Sequence, residues 1–179
     1  VGLGKYIVDG GRSLRFSPKH PRNVLQTSTL DLALSDTQTR FYALDLKNMQ
    51  ESFSVDDSFN LLKLHMREAE KDGSLRLMVS TFDPYDQIMR DGYYDGGRKV
   101  VTFANILQHD AFPLAELLSM MLEFGSKEMG RHVEIEFAGT LPSEENKQGT
   151  LYWLQIRPIV DTKEMRDDEV FDLPDEQTI

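Results

Sequence analysis

Apolar and polar positions alternate with period two in two stretches near the end of the chain. In VEIEFAG, Val133, Ile135 and Phe137 fall on one face and Glu134 and Glu136 on the other. In LYWLQIRPIV, Tyr152, Leu154 and Ile156 form the apolar set and leave Gln155 and Arg157 opposite. The two runs predict a hairpin closed by the polar connector 139–149. A second pattern, Leu114, Leu117, Leu118, Met121 and Leu122 after Pro113, repeats at helical spacing and stops at Gly125 or Gly130.

Earlier segments are read the same way. Residues 6–8 (Tyr6, Ile7, Val8) form a short apolar run between glycine pairs, which predicts a buried strand between turns. SPKHPRN predicts a surface turn that carries His20 and enters a strand near 24–27. RFYALDL, LRLMVST and KVVTF are rich in β-formers and predict strands at 40–46, 75–81 and 99–103. Between the first two, Phe59, Leu62, Met66 and Ala69 recur at helical spacing, with Asp56, Asp57 or Ser58 as a cap, Gly73 as a stop and His65 beside the stripe. Residues 81–97 hold Asp83, Asp86, Asp91 and Asp95 without the spacing of a calcium loop, which predicts an exposed loop. His109 is given no role. Strands and helices do not alternate regularly, so the expected fold class is α+β with a mostly antiparallel sheet and packed helices.

Composition narrows the chemistry. The chain has 179 residues, 40% of them hydrophobic, enough for a core and taken here as one domain over 1–160, followed by an acidic tail or linker over 161–179. Thirty acidic against 20 basic residues give a formal charge of -10, which argues against nucleic acid or an anionic membrane as the main partner. A phosphate ligand would then need a metal ion. Without cysteine there is no thiolate or disulfide chemistry, a pattern that fits the cytoplasm. No apolar run approaches the ~20 residues that span a bilayer, and no signal peptide is evident. The start at Val1 in mid-pattern and the acidic tail read as the ends of a piece of a longer protein.

The candidate chemistry sits on the polar face of the closing hairpin. Two carboxylates, an amide and a guanidinium on one sheet face can hold a divalent cation together with phosphate oxygens, because hard cations take oxygen ligands and Arg grips phosphate as a fork. A solvated sheet surface is the simpler account of the alternation by itself. The opening VGLGKYIVDGG offers a glycine-rich turn but matches neither standard phosphate loop, so its residues by themselves favour a plain structural turn over a ligand loop.

VEIEFAG followed by LYWLQIRPIV resembles the end of the ATP-binding domain of phosphoenolpyruvate synthases and pyruvate phosphate dikinases. There, an acidic-Ile-Glu-aromatic strand precedes a Leu-Gln-x-Arg-Pro strand. VGLGKYIVDGG, with Ser17 and Pro18 after it, resembles that family's GLGE-x-V-x-G segment, and FANILQHDAFPLAELLSMMLEFG followed by MGRHVEIEFAG resembles its approach to the final hairpin. The resemblance implies the second lobe of an ATP-grasp fold, with Mg²⁺ and ATP held between two α+β lobes. It implies that ATP phosphorylates a histidine on a separate swivelling domain, which then passes phosphate to pyruvate to form phosphoenolpyruvate.

Carried over by position, Glu136 binds magnesium, Gln155 coordinates metal or phosphate, and Arg157 holds the transferred phosphate. Glu134 supports the metal from the same face, and Gly2 and Gly4 belong to a nucleotide-contacting loop. The first lobe, the phosphohistidine domain and the pyruvate-binding domain are partners outside this chain. Related domains resemble the same lobe while using a glucan or an antibiotic as acceptor. Lys5, where the family has Glu, motivates a further reading as a non-catalytic scaffold or regulatory lobe.

Overall fold

The stripe of Leu114, Leu117, Leu118, Met121 and Leu122 does form one face of a helix, the longest among the described residues. A computed structural model of the chain describes residues 1–4, 12–46, 60–71, 73–143 and 147–159. Three α-helices, α1 (Leu30–Asp36), α2 (Ala104–Leu107) and α3 (Leu114–Met129), lie among these residues. So do seven strands: β1 (Arg40–Leu44), β2 (Leu61–His65), β3 (Val79–Asp83), β4 (Ile88–Asp91), β5 (Arg98–Val101), β6 (Val133–Thr140) and β7 (Thr150–Pro158). All strand pairs are antiparallel, so the fold class is α+β. Among the described residues no helix is long and apolar enough to cross a membrane.

The chain divides into two compact units, Val1–Leu118 with Leu141–Gly149, and Ser119–Thr140 with Thr150–Ile179; the division falls inside α3. In the first unit β1 pairs with β2, and β3 is the centre of a sheet ordered β4-β3-β5. Leu75, Val79 and Val101 are buried beside Met66 and Ala69, with Phe41, Met78 and Phe103 packed against them. A neighbouring cluster gathers Val24, Ile106, Leu107 and Phe112, and Phe103 contributes to both. Phe103 reaches both clusters from a left-handed backbone (φ 54°) at the start of α2, where its N–H and that of Thr102 donate to the Met78 carbonyl.

Four expectations change. Where a strand was expected at 24–27, Val24 is buried at the start of a 3₁₀ turn, Leu25–Thr27, and α1 follows. Thr29 caps α1 by accepting from Leu32 N–H (3.3 Å), and Asp31 lies in the first turn, where a carboxylate favours the helix dipole. The helix expected from Phe59 to Gly73 is instead β2 followed by a 3₁₀ turn, Met66–Glu70. Pairing of Arg40–Leu44 with Leu61–His65 overrides the local 3.6-residue spacing. Met66 and Ala69 are still buried, because residues three apart share one side of a 3₁₀ turn. His65 ends β2, and its Nδ1 accepts from Arg67 N–H (3.3 Å).

The strand expected at 75–81 starts only at Val79 and runs to Asp83, preceded by turns in which Leu75 is fully buried. The loop expected at 81–97 contains β4. Its aspartates serve that hairpin: Asp83 Oδ1 accepts from the backbone N–H groups of Tyr85 (2.9 Å) and Asp86 (3.4 Å), an Asx turn that reverses the chain. The strand expected at 99–103 is β5, and the surface turn expected at 17–23 forms with His20 N–H donating to Ser17 O (2.9 Å). The expected strand at 6–8, Lys5, the capping group at 56–58 with Phe59, and the tail 161–179 lie outside the described residues.

Candidate functional site

β6 and β7 pair in the register Val133↔Pro158, Glu134↔Arg157, Ile135↔Ile156 and Glu136↔Gln155. Directly opposed residues share a face, and so do residues two apart on one strand. Glu134, Glu136, Gln155 and Arg157 therefore stand together on one side of the hairpin, and all four are exposed. This is the face on which the alternation in the sequence puts them.

The opposite side packs against α3 at Gly125. A Cβ added there would lie 2.6 Å from Ile156 Cδ1, 3.1 Å from Val133 Cγ2 and 3.5 Å from the Trp153 ring, so the glycine lets helix and strands approach closely and a side chain here would displace the Ile156 δ-methyl. Gly125 thus lies inside the helix as its closest approach to the sheet, and Gly130, at φ 68°, follows the last turn. Phe124 meets Trp153 edge to face, with ring centroids 6.3 Å apart. The helix gives the hairpin its backing on one side, and the four polar residues are on the other.

A bulge between Glu136 and Phe137 alters the rest of the pattern. After Glu136↔Gln155 the next pair is Phe137↔Trp153, so Leu154 has no opposite residue. Trp153 consequently joins Ile156 on the helix side, and Leu154 and Tyr152 are 63% and 52% exposed. The expected apolar set of Tyr152, Leu154 and Ile156 holds only at Ile156, because one extra residue reverses the alternation beyond it. Trp153 Nε1–H donates to the Gln155 carbonyl (3.1 Å), a contact across the bulge.

Arg157 forms an ion pair with Glu134, its Nε and Nη2 both turned to one carboxylate oxygen. The side chains remain 60% and 50% exposed, so the pair adds little stability but sets where the guanidinium points. Glu134 is thereby engaged with Arg157 and less free for a metal. Glu136 and Gln155 face each other across the hairpin. A carboxylate and an amide oxygen side by side fit magnesium, which commonly keeps several waters and takes one or two protein carboxylates with substrate phosphates. Among the described residues no three His, Asp or Glu side chains form a metal-holding group.

Gly2 and Gly4 lie in the first unit and the hairpin in the second. Gly2 has φ 86°, and an added Cβ would lie 2.8 Å from both Phe41 Cβ and the Tyr42 carbonyl, while Leu3 N–H donates to that carbonyl (3.0 Å). Its glycine is accounted for by this close approach to β1; Gly4 has open space around its Cα. His109 bonds Asp91 (3.0 Å), Asp91 accepts from buried Ser80 (3.0 Å), and Ser80 meets Thr102 (2.6 Å). The carboxylate stands between hydroxyl and imidazole, the reverse of the order that activates a serine, and the chain of bonds ties β3 to β4 and to the turn after α2. Comparison of the chain with protein-family models, curated proteins and solved structures found no match.

Proposed function

We propose that this chain supplies the magnesium and phosphate wall of an ATP site, as the second lobe of an ATP-grasp phosphotransferase that phosphorylates a histidine and makes phosphoenolpyruvate from pyruvate in the cytoplasm. The supporting observation is the register Glu134↔Arg157 and Glu136↔Gln155 on one exposed face of a hairpin backed by a helix. Together with the resemblance of both ends of the chain, that register gives the four residues complementary roles. Glu136 and Gln155 would hold Mg²⁺, which neutralises charge on the phosphate oxygens when bound. Arg157 holds the transferred phosphoryl group by the N–H donors that Glu134 leaves unused, and Glu134, on Nε and Nη2, fixes the orientation of the guanidinium. Phosphoryl transfer needs little more from a protein than such positioning and charge compensation. The first lobe, the histidine-bearing domain and the pyruvate site belong to other parts of the protein in this reading.

Full-length protein incubated with Mg-ATP and pyruvate should release AMP in proportion to the pyruvate consumed. AMP release that ignores pyruvate and follows a glucan or an antibiotic would keep the ATP site and replace the acceptor. Absence of ATP turnover with every acceptor would favour a scaffold lobe.

The role given to Glu134 has its own test. Glu134→Gln should change stability by less than ~1 kcal/mol, since the pair is exposed. It should slow histidine phosphorylation by about tenfold, through a guanidinium that is no longer oriented. An unchanged rate, measured beside denaturant unfolding, would mean that Arg157 needs no alignment by Glu134.

A further inference from the structure

Arg12, Arg15, Lys19 and Arg22 fall in a segment without a single acidic residue between Asp9 and Asp31, in a chain of net charge -10. Such segregation of positive charge is the footprint of an anionic ligand. The structure gives this segment a concave surface. A cleft of about 590 Å³ in the first unit is lined by Arg12, Arg15, Asn23 and Gln26, with Phe16 and Leu25 as its apolar part. Among the described residues Asp36 is the acid on its wall, and its Oδ1 accepts from Ser35 Oγ (2.8 Å).

The arginines are held by a braced backbone. Gln26 uses both ends of its amide on the segment that carries them: its Oε1 accepts from Arg15 N–H (2.7 Å) and its Nε2 donates to the Ser13 carbonyl (2.9 Å). Arg12 Nη1 donates to the Ser35 carbonyl near the end of α1, which ties that guanidinium to the cleft wall by one of its five N–H donors. The Arg15 side chain is exposed and makes no hydrogen bond or ion pair among the described residues. Leu25, 82% exposed, stands beside it as an apolar surface without cover. An exposed guanidinium, a second one held in place, an amide side chain and an apolar wall form a set suited to a phosphoryl group attached to an organic body.

We propose that this cleft is a binding site for a phosphate monoester, formed by Arg12, Arg15 and Asn23 with Leu25 and Phe16 against the organic part. The site uses no residue of the β6–β7 hairpin and does not depend on the nucleotide reading. Its anion is held by guanidinium groups, so binding needs no metal.

Calorimetric titration of full-length protein bearing Arg157→Ala, in magnesium-free buffer with chelator, tests it with three probes: glycerol 3-phosphate, inorganic phosphate and succinate. Saturable binding of a phosphate probe is expected, weakened about tenfold or more by Arg15→Glu and less by Arg15→Lys, with unchanged melting of each variant. Tighter binding of glycerol 3-phosphate assigns the site to organic phosphates. Equal affinity for inorganic phosphate would keep the phosphoryl site and remove the role of the apolar wall. The site is overturned by no saturable binding, by binding that Arg15→Glu leaves intact, or by succinate binding more tightly than either phosphate. Arg15→Gln replaces the charge reversal if that variant fails to fold.

Discussion

Replacing Arg157 with Ala in the full-length protein is expected to lower ATP-dependent histidine phosphorylation by about 10³-fold or more, the range seen when an arginine that stabilises transferring phosphate is lost. The reason is geometric. Arg157 is the cation on the polar face of the hairpin, and Glu134 holds it there. Its removal leaves the growing charge on the phosphate oxygens without its N–H donors, and water in an open site compensates poorly. Stability should hardly respond, because the pair is exposed and the packing of the hairpin runs through Val133, Trp153 and Ile156 on the other face. Glu136→Ala should show the same separation of activity from stability, through loss of the metal. Rapid-quench measurement of acid-labile phosphoprotein, beside denaturant unfolding, reads both quantities. Wild-type rates in either variant would remove the assigned residue from the site.

The largest effect expected on stability is at Gly97. Its backbone has φ 63°, and an added Cβ would lie 2.6 Å from the Phe82 carbonyl oxygen and 2.9 Å from Thr81 Cγ2. A side chain there meets two penalties, the left-handed backbone and a clash with backbone atoms of β3 that cannot swing aside. Together they cost about 2–4 kcal/mol. Gly96 provides the internal comparison, with φ 73° and open space around the added Cβ. Gly96→Ala should therefore lose only the conformational part, about 1 kcal/mol. Equal losses in the two variants, by urea unfolding, would mean that the close approach to Phe82 carries no energy.

Elements whose stabilising partners are local were legible in the sequence. α3 rests on its own apolar stripe after Pro113, and the strands of the closing hairpin rest on their own alternation, so both lie where the pattern put them. The spacing of Leu62, Met66 and Ala69 predicts a helix at β2; its strand conformation comes from β1, a segment distant in sequence. β4 escaped notice because its residues, Ile88–Asp91, are too few and too polar to alternate, and β3 supplies the pairing. α1 was missed for its shortness, although Thr29 and Asp31 are the signal that could have found it.

The polar face of the site was legible as far as Gln155. Beyond it the bulge opposite Glu136 reverses the alternation and carries Trp153 to the helix, which no periodicity in the sequence reports. The cleft of Arg12 and Arg15 was not legible either, since its shape depends on Gln26 and Ser35 bonding back across 11 to 23 residues.

In the proposed reading, the face carrying Glu136, Gln155 and Arg157 binds ATP through magnesium. Calorimetric titration of the full-length protein with ATP, with and without Mg²⁺, tests it most directly. Saturable binding is expected in the presence of Mg²⁺, falling by about tenfold or more without the metal and weakened to a similar extent in Glu136→Ala. ATP binding that is absent, or that is indifferent to both magnesium and Glu136, would contradict it.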